Sequence, residues 1–166
     1  MIAYKVLEAD GTGRFSGFRW PLPNGAPGDW VDGEVDPCRS GVHALRPSDL
    51  PYWLGPSLFE IELDGPISEI GLKVVATRGR LLRRVDAWDD PMRLAFSTMC
   101  IERARELAAS DPQRLNAWVN ADIDAGPALL GYVAERIAEE IEGPAAGKAE
   151  RESQARWLSE HLQLGA

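Results

Sequence analysis

The stretch Cys38-Arg39-Ser40-Gly41-Val42-His43-Ala44 concentrates reactive side chains: it holds one of the chain's two cysteines and one of its two histidines. If residues 39–42 form a four-residue turn, Cys38 and His43 face each other across it, with Cβ atoms about 5 Å apart. An imidazole at that range can take the thiol proton and leave a thiolate nucleophile. The same residues also fit a structural role, a small buried thiol beside a histidine held by local backbone. Spacing identifies no third residue to orient the imidazole, so the structural role is the expectation.

Cys38, His43, Cys100 and His161 make a Cys₂His₂ set by number only. They lack the paired short-range spacing of a zinc site, so no metal is expected. Gly11-Thr12-Gly13 and the glycines at 25 and 28 do not follow a strand and open a helix, as a phosphate-cradling loop requires. They read as hairpin turns, and no cofactor is expected.

Lys73, Arg78, Arg80, Arg83 and Arg84 fall in one stretch without an acid. Such a cluster can hold a phosphate or a carboxylate, with Lys73, Arg78 and Arg80 as the anion-binding candidates. The favoured alternative is that Glu60, Glu62, Asp86, Asp89 and Asp90 neutralise it. Tryptophans stand at 20, 30, 53, 88, 118 and 157. Those beside Pro and Gly turns can line a groove, and a ligand surface of Arg19, Trp20, His43, Tyr52 and Trp53 follows. Covering the ends of a small sheet is the simpler use for them.

The elements that must position these residues divide the 166-residue chain near residue 88. Ile2–Leu7, 15–20 and 29–31 read as strands. In 58–63, Phe59, Ile61 and Leu63 alternate with Glu60 and Glu62, which marks a strand with one wet face. Residues 69–77 and 80–85 read as two further strands around Arg78-Gly79. Ser48-Asp49 can cap a short helix over 50–54. Beyond residue 88 the spacing is helical. Asp89 or Asp90 caps a first helix bearing Met92, Phe96, Met99, Cys100 and Leu107. Asp111-Pro112 starts a second with Leu115, Trp118 and Val119. Gly126-Pro127 opens a third, and Gly143-Pro144 separates it from a last helix carrying Trp157, Leu158 and Leu162. The expected fold is α+β in one domain, 1–166: a small, mostly antiparallel sheet with one short helix (1–88), then three to four helices (89–166).

The net charge of −8 and pI near 4.8 argue against nucleic-acid binding. The charge is shared evenly by the two parts, so it reads as solubility. Fifteen arginines against three lysines fit a GC-rich genome. Two cysteines fit a reducing compartment. The opening residues do not resemble a signal peptide, and no apolar run is long enough to span a bilayer. A cytoplasmic protein without membrane contact is expected.

The series Ala3-Tyr4-Lys5-Val6, Ser16-Gly17-Phe18-Arg19-Trp20-Pro21, Cys38-x-x-Gly41-x-His43-Ala44 and Leu50-Pro51-Tyr52-Trp53 resembles a bacterial family of conserved hypothetical proteins. Trp88-Asp89 and Gln154-Ala155-Arg156-Trp157-Leu158 fit it as well. That resemblance implies no activity. The order Tyr4-Lys5, Gly41-Val42-His43, 50–54 and 59–63 also resembles ADP-ribosyltransferases at the level of fold. It implies Tyr4 and His43 as NAD contacts and Glu69 as the acid. Lys5 departs from that family's Arg or His, and no Ser-x-Ser segment follows. The primary expectation is a non-enzymatic binding or regulatory module for a protein or small-molecule partner, with a homodimer as one arrangement. The alternative is an enzyme using NAD or another nucleotide.

Overall fold

The structure is a computed structural model that describes residues 1–34, 40–110 and 126–165. Cys38 and the helix expected from Asp111 lie outside the described residues. The order of elements is the expected α+β order: an antiparallel sheet first, helices afterwards. Internal contacts define two compact units, Met1–Leu50 with Leu54–Trp88, and Pro51–Trp53 with Asp89–Ala166.

The first unit holds β1 (Ile2–Leu7), β2 (Val31–Asp32), β3 (Val42–Ala44), β4 (Ser57–Glu69) and β5 (Val74–Arg84). β4 lies between β1 and β5, and the far edge of β5 takes β2 and β3 end to end. The alternation of β4 behaves as its sequence dictates. Phe59, Ile61 and Leu63 are buried, while Glu60 and Glu62 face Arg83 and Arg80 across the ladder. The inward face joins Ala3 and Leu7 of β1, Val42 and Ala44 of β3, and Val74, Ala76 and Leu81 of β5, with Trp20 packed on them.

Three local expectations are corrected. The two strands expected at 69–77 and 80–85 are one strand, because Gly79 is a site of close packing and not a turn. A Cβ there would lie 2.7 Å from Val42 Cγ1. The reversal comes earlier, where Ile70 N–H donates to Lys73 O at 2.9 Å. Residues 15–20 form a turn and not a strand. Gly17 N–H donates to Gly13 O at 2.8 Å, leaving one bridge between Thr12 and Arg19. The short helix is a 3₁₀ segment at Pro47–Tyr52, starting before the expected position. The Asp49 carboxylate turns back onto the Arg46 N–H at 3.3 Å and sets that start.

The sheet then closes on itself. Tyr4 and Leu45 exchange two backbone hydrogen bonds, each 2.8 Å, so the residue that follows β3 joins the free edge of β1. The path β1-β4-β5-β3 thereby returns to β1. The next carbonyl on that edge of β3 belongs to His43, and it accepts from the Lys5 ammonium at 2.7 Å. Arg46, immediately past the junction, holds Asp49 at 2.7 Å, Glu69 at 2.5 Å and the Gly71 carbonyl at 3.0 Å.

The second unit contains α1 (Asp90–Leu107), α2 (Pro127–Glu142) and α3 (Pro144–Leu162). The Asp89 carboxylate accepts from Met92 N–H at 2.9 Å and caps α1. Phe96, Cys100 and Leu107 of the expected stripe are buried. Glu150, Arg151 and Gln154 of α3 are buried too, although they are polar. Gln154 donates to the Gly131 carbonyl at 3.1 Å and to Glu150 at 3.0 Å. Arg151 reaches Glu135 at 2.7 Å and the Pro51 carbonyl at 2.9 Å. A satisfied network of this kind fixes the register of packed helices.

Gly28 seats the loop that carries Trp20. Its N–H donates to Leu81 O at 2.8 Å, and a Cβ would collide with the Pro21 carbonyl oxygen. Gly28→Ala should therefore lower stability by about 1–3 kcal/mol in urea denaturation and move the Trp20 emission. An unchanged midpoint and spectrum would show that the loop is not held there.

Candidate functional site

The first candidate region surrounds Lys5. Strand alternation puts Lys5 on the same face as Ala3 and Leu7, opposite Phe59, so its alkyl chain enters the core layer. The ammonium lies 4.7 Å from the centre of the Trp20 ring and donates to His43 O. Burial, and then the charge of Lys73, lowers its pKa from 10.5 to about 8. The His43 ring projects from the other face of β3, since Val42 and Ala44 face the core. Its Nε2 lies 3.3 Å from Ser40 O. Burial followed by Lys73 lowers its pKa below the usual 6.5. No carboxylate is among the charges that shift either group.

Three arginines of the basic stretch find close acids. Arg80 pairs with Glu62 at 2.8 Å, Arg83 with Glu60 at 2.6 Å and Arg78 with Asp32 at 3.1 Å. Arg78 and Arg80 also stack on Trp30, 4.5 and 4.6 Å from its ring centre. The expected neutralisation by Glu60 and Glu62 is thus present. Arg84 differs: its partner, Asp86, is 4.0 Å away.

Arg83 and Arg84 line the second candidate region, a cleft of about 670 Å³ in the first unit. One wall is the turn at Glu8, Ala9 and Gly11, and another is the loop from Leu22 to Pro27. Ser57 and Phe59 of β4 and Leu82 of β5 complete it. Leu22 and Phe59 give it an apolar wall, and its charged lining is mixed, with Arg83 and Arg84 alongside Glu8 and Asp86. Neither Cys nor His lines it. The sequence signal for the cleft was half present: Arg83 and Arg84 belong to the basic stretch, but nothing local places the loop 22–27 over them.

The other predicted residues are distributed as follows. Tyr4 is 1% exposed and sits at the ring closure. Glu69 is engaged by Arg46. Arg19 is exposed, 4.0 Å from Asp10. Trp20 is buried and touches Lys5, a residue the spacing did not single out. Tyr52 and Trp53 belong to the second unit, where the Arg151 guanidinium lies 4.2 Å from the Tyr52 ring centre. Cys100 is fully buried, and burial, with the charge of Glu150, pushes its thiol up to about 12. That thiol is unreactive at neutral pH. Among the described residues no group of three His, Cys, Asp or Glu side chains is arranged to hold a metal ion, and no helix is long and apolar enough to cross a membrane. No protein family, curated protein or solved structure matches the chain.

The Lys5 environment has a pH signature. A base whose folded pKa is lowered weakens the fold while it is charged, and the penalty fades as pH rises from the folded value toward the unfolded one. Wild type should therefore gain stability between about pH 8 and pH 10.5 relative to Lys5→Met, by on the order of 3 kcal/mol. Urea midpoints of both proteins across that range test this, and parallel profiles would contradict it.

Proposed function

We propose that the protein is a non-enzymatic binding module that takes a small organic anion with an apolar body into the cleft beside Arg84. The carrying observation is a cleft, part apolar, that is lined by the Arg84 guanidinium, whose partner Asp86 lines it too but stands 4.0 Å away. A cavity of that size suits a small molecule. A carboxylate or phosphate would meet the Arg84 fork, and the apolar body would cover Phe59, Leu22 and Leu82. The paired Arg78, Arg80 and Arg83 have less to offer an anion, because a ligand would first have to displace Asp32, Glu62 or Glu60.

The nucleotide-transferase alternative requires Tyr4, His43 and Glu69 in one cleft. Tyr4 is buried and Glu69 is held by Arg46, so that reading draws less support. The cytoplasm remains the compartment this reading assumes.

Octanoate and phenyl phosphate are suitable probes in isothermal titration. Binding should weaken about tenfold or more in Arg84→Ala, the loss of one charge-assisted hydrogen bond. Arg80→Ala should bind like wild type. Equal affinity in wild type and Arg84→Ala, or no binding of either probe by wild type, would reject the cleft as an anion site.

A further inference from the structure

The cleft beside Arg84 is bounded by the ends of three paired strands. β1 ends at Leu7, opposite Ser57 at the start of β4. Phe59 of β4 stands opposite Arg84 at the end of β5. Opposed residues of an antiparallel pair share a face, so the guanidinium stem rises beside an apolar ring. Glu8 follows β1 and Asp86 follows β5, which puts an acid of the lining on either side of β4. The turn at Glu8 is fixed by backbone: Glu8 N–H donates to Thr12 O at 2.9 Å, and Gly11 N–H to Glu8 O at 3.0 Å. Gly11, at φ +84°, packs under Leu22, whose Cδ1 would lie 3.1 Å from a Cβ there. The two loops that wall the cleft are thus packed on each other.

Charge decides what such a cleft suits. Arg83 is taken by Glu60 at 2.6 Å, and Glu60 does not line the cleft. That leaves one guanidinium, Arg84, with two carboxylates, Glu8 and Asp86. Glu8 meets Arg14 at 3.6 Å and Asp86 meets Arg84 at 4.0 Å, and all four side chains are exposed. Both pairs are longer than a hydrogen bond, so they stabilise little and give way to a ligand's charges at small cost. A ligand bearing only negative charge gains Arg84 but is repelled by Asp86. A ligand with an ammonium beside its carboxylate satisfies both.

Building on the anion-binding reading of this cleft, we propose that its ligand is a zwitterion of the α-amino-acid type with an apolar side chain. The carboxylate meets Arg84, the ammonium meets Asp86, and the side chain covers Phe59, Leu22 and Leu82. The nitrogen and carboxyl carbon of an α-amino acid are about 2.5 Å apart. That short span matches a cation and an acid 4.0 Å from each other. Glu8 lies on the far side of β4, two strand spacings or about 10 Å from the end of β5. It is too distant to share the ammonium, and its charge opposes a carboxylate on the ligand's side chain.

Isothermal titration of the full chain with L-phenylalanine, 3-phenylpropanoate and L-glutamate tests this. 3-Phenylpropanoate keeps the ring and the carboxylate and lacks only the amine. L-Phenylalanine should bind about tenfold or more tightly than 3-phenylpropanoate, and L-glutamate should bind far more weakly than either. Asp86→Asn, at a residue whose side chain is 90% exposed, should remove the preference for the amine and leave 3-phenylpropanoate bound. Equal affinity for L-phenylalanine and 3-phenylpropanoate, equal affinity for L-glutamate, or an unchanged L-phenylalanine affinity in Asp86→Asn would overturn the proposal. So would no binding of L-phenylalanine by wild type. Octanoate then separates the two failures: binding that still depends on Arg84 preserves the anion reading, and no binding removes both.

Discussion

The first unit depends on the closure of its sheet. An open sheet leaves two rows of unpaired N–H and C=O groups, and buried ones among them are costly. Here the edge of β1 is met by the end of β3, through the reciprocal bonds of Tyr4 with Leu45, the residue after it. Backbone pairing stops there, and the next carbonyl, of His43, would lie without a strand partner on that edge. The Lys5 ammonium supplies the donor instead. A side-chain cation thus completes a backbone ladder. Its cost is that a charge must sit against the core layer, where Trp20 covers it. The lowered basicity of Lys5 is the electrostatic record of that compromise.

Charge elsewhere follows a different rule. On the outward face of β4 and β5, glutamates and arginines stand opposite one another at cross-strand range and pair. These pairs are partly exposed and worth little individually, yet they consume the basic stretch. What they leave is informative: Arg84 at the rim of the cleft and Lys73 near Lys5. The second unit uses ions in a third way. Arg151, Glu135, Glu150 and Gln154 are packed inside and hydrogen-bonded to one another and to backbone. Gly131 leaves room for them, since a Cβ there would lie 2.9 Å from the Gln154 amide oxygen.

Much of the fold was legible because it rests on short-range patterns. The period of two in 58–63 gives the buried and wet faces directly. Asp89 with Pro91, and Gly143 with Pro144, mark helix ends by backbone chemistry that needs no tertiary context. Of the helical stripe Leu130, Val133, Ala134, Ile137 and Ile141, the first four are buried as their spacing requires and Ile141 is only partly covered. Gly79 misled, since glycine serves both turns and close contacts, and only the neighbouring Val42 distinguishes them. Lys5 left a readable trace: it shares the period-two face of Ala3 and Leu7. A cation on an apolar face is a conflict that local pattern can flag but cannot resolve.

Local patterns in the chain set the α+β order, the buried face of β4 and the starts of the three long helices. Those features follow from side-chain alternation, helical periodicity and the backbone limits of Pro and Gly, all of which act within a few residues. Long-range packing sets which charges remain without a close partner and where a cavity opens. Residues 5 and 43 meet only where the sheet closes, and 22 and 59 come together only as walls of one cleft, at separations that no local spacing encodes. Whether an arginine is neutralised or available, and whether a lysine is an ordinary surface cation or a perturbed amine, is set by those meetings.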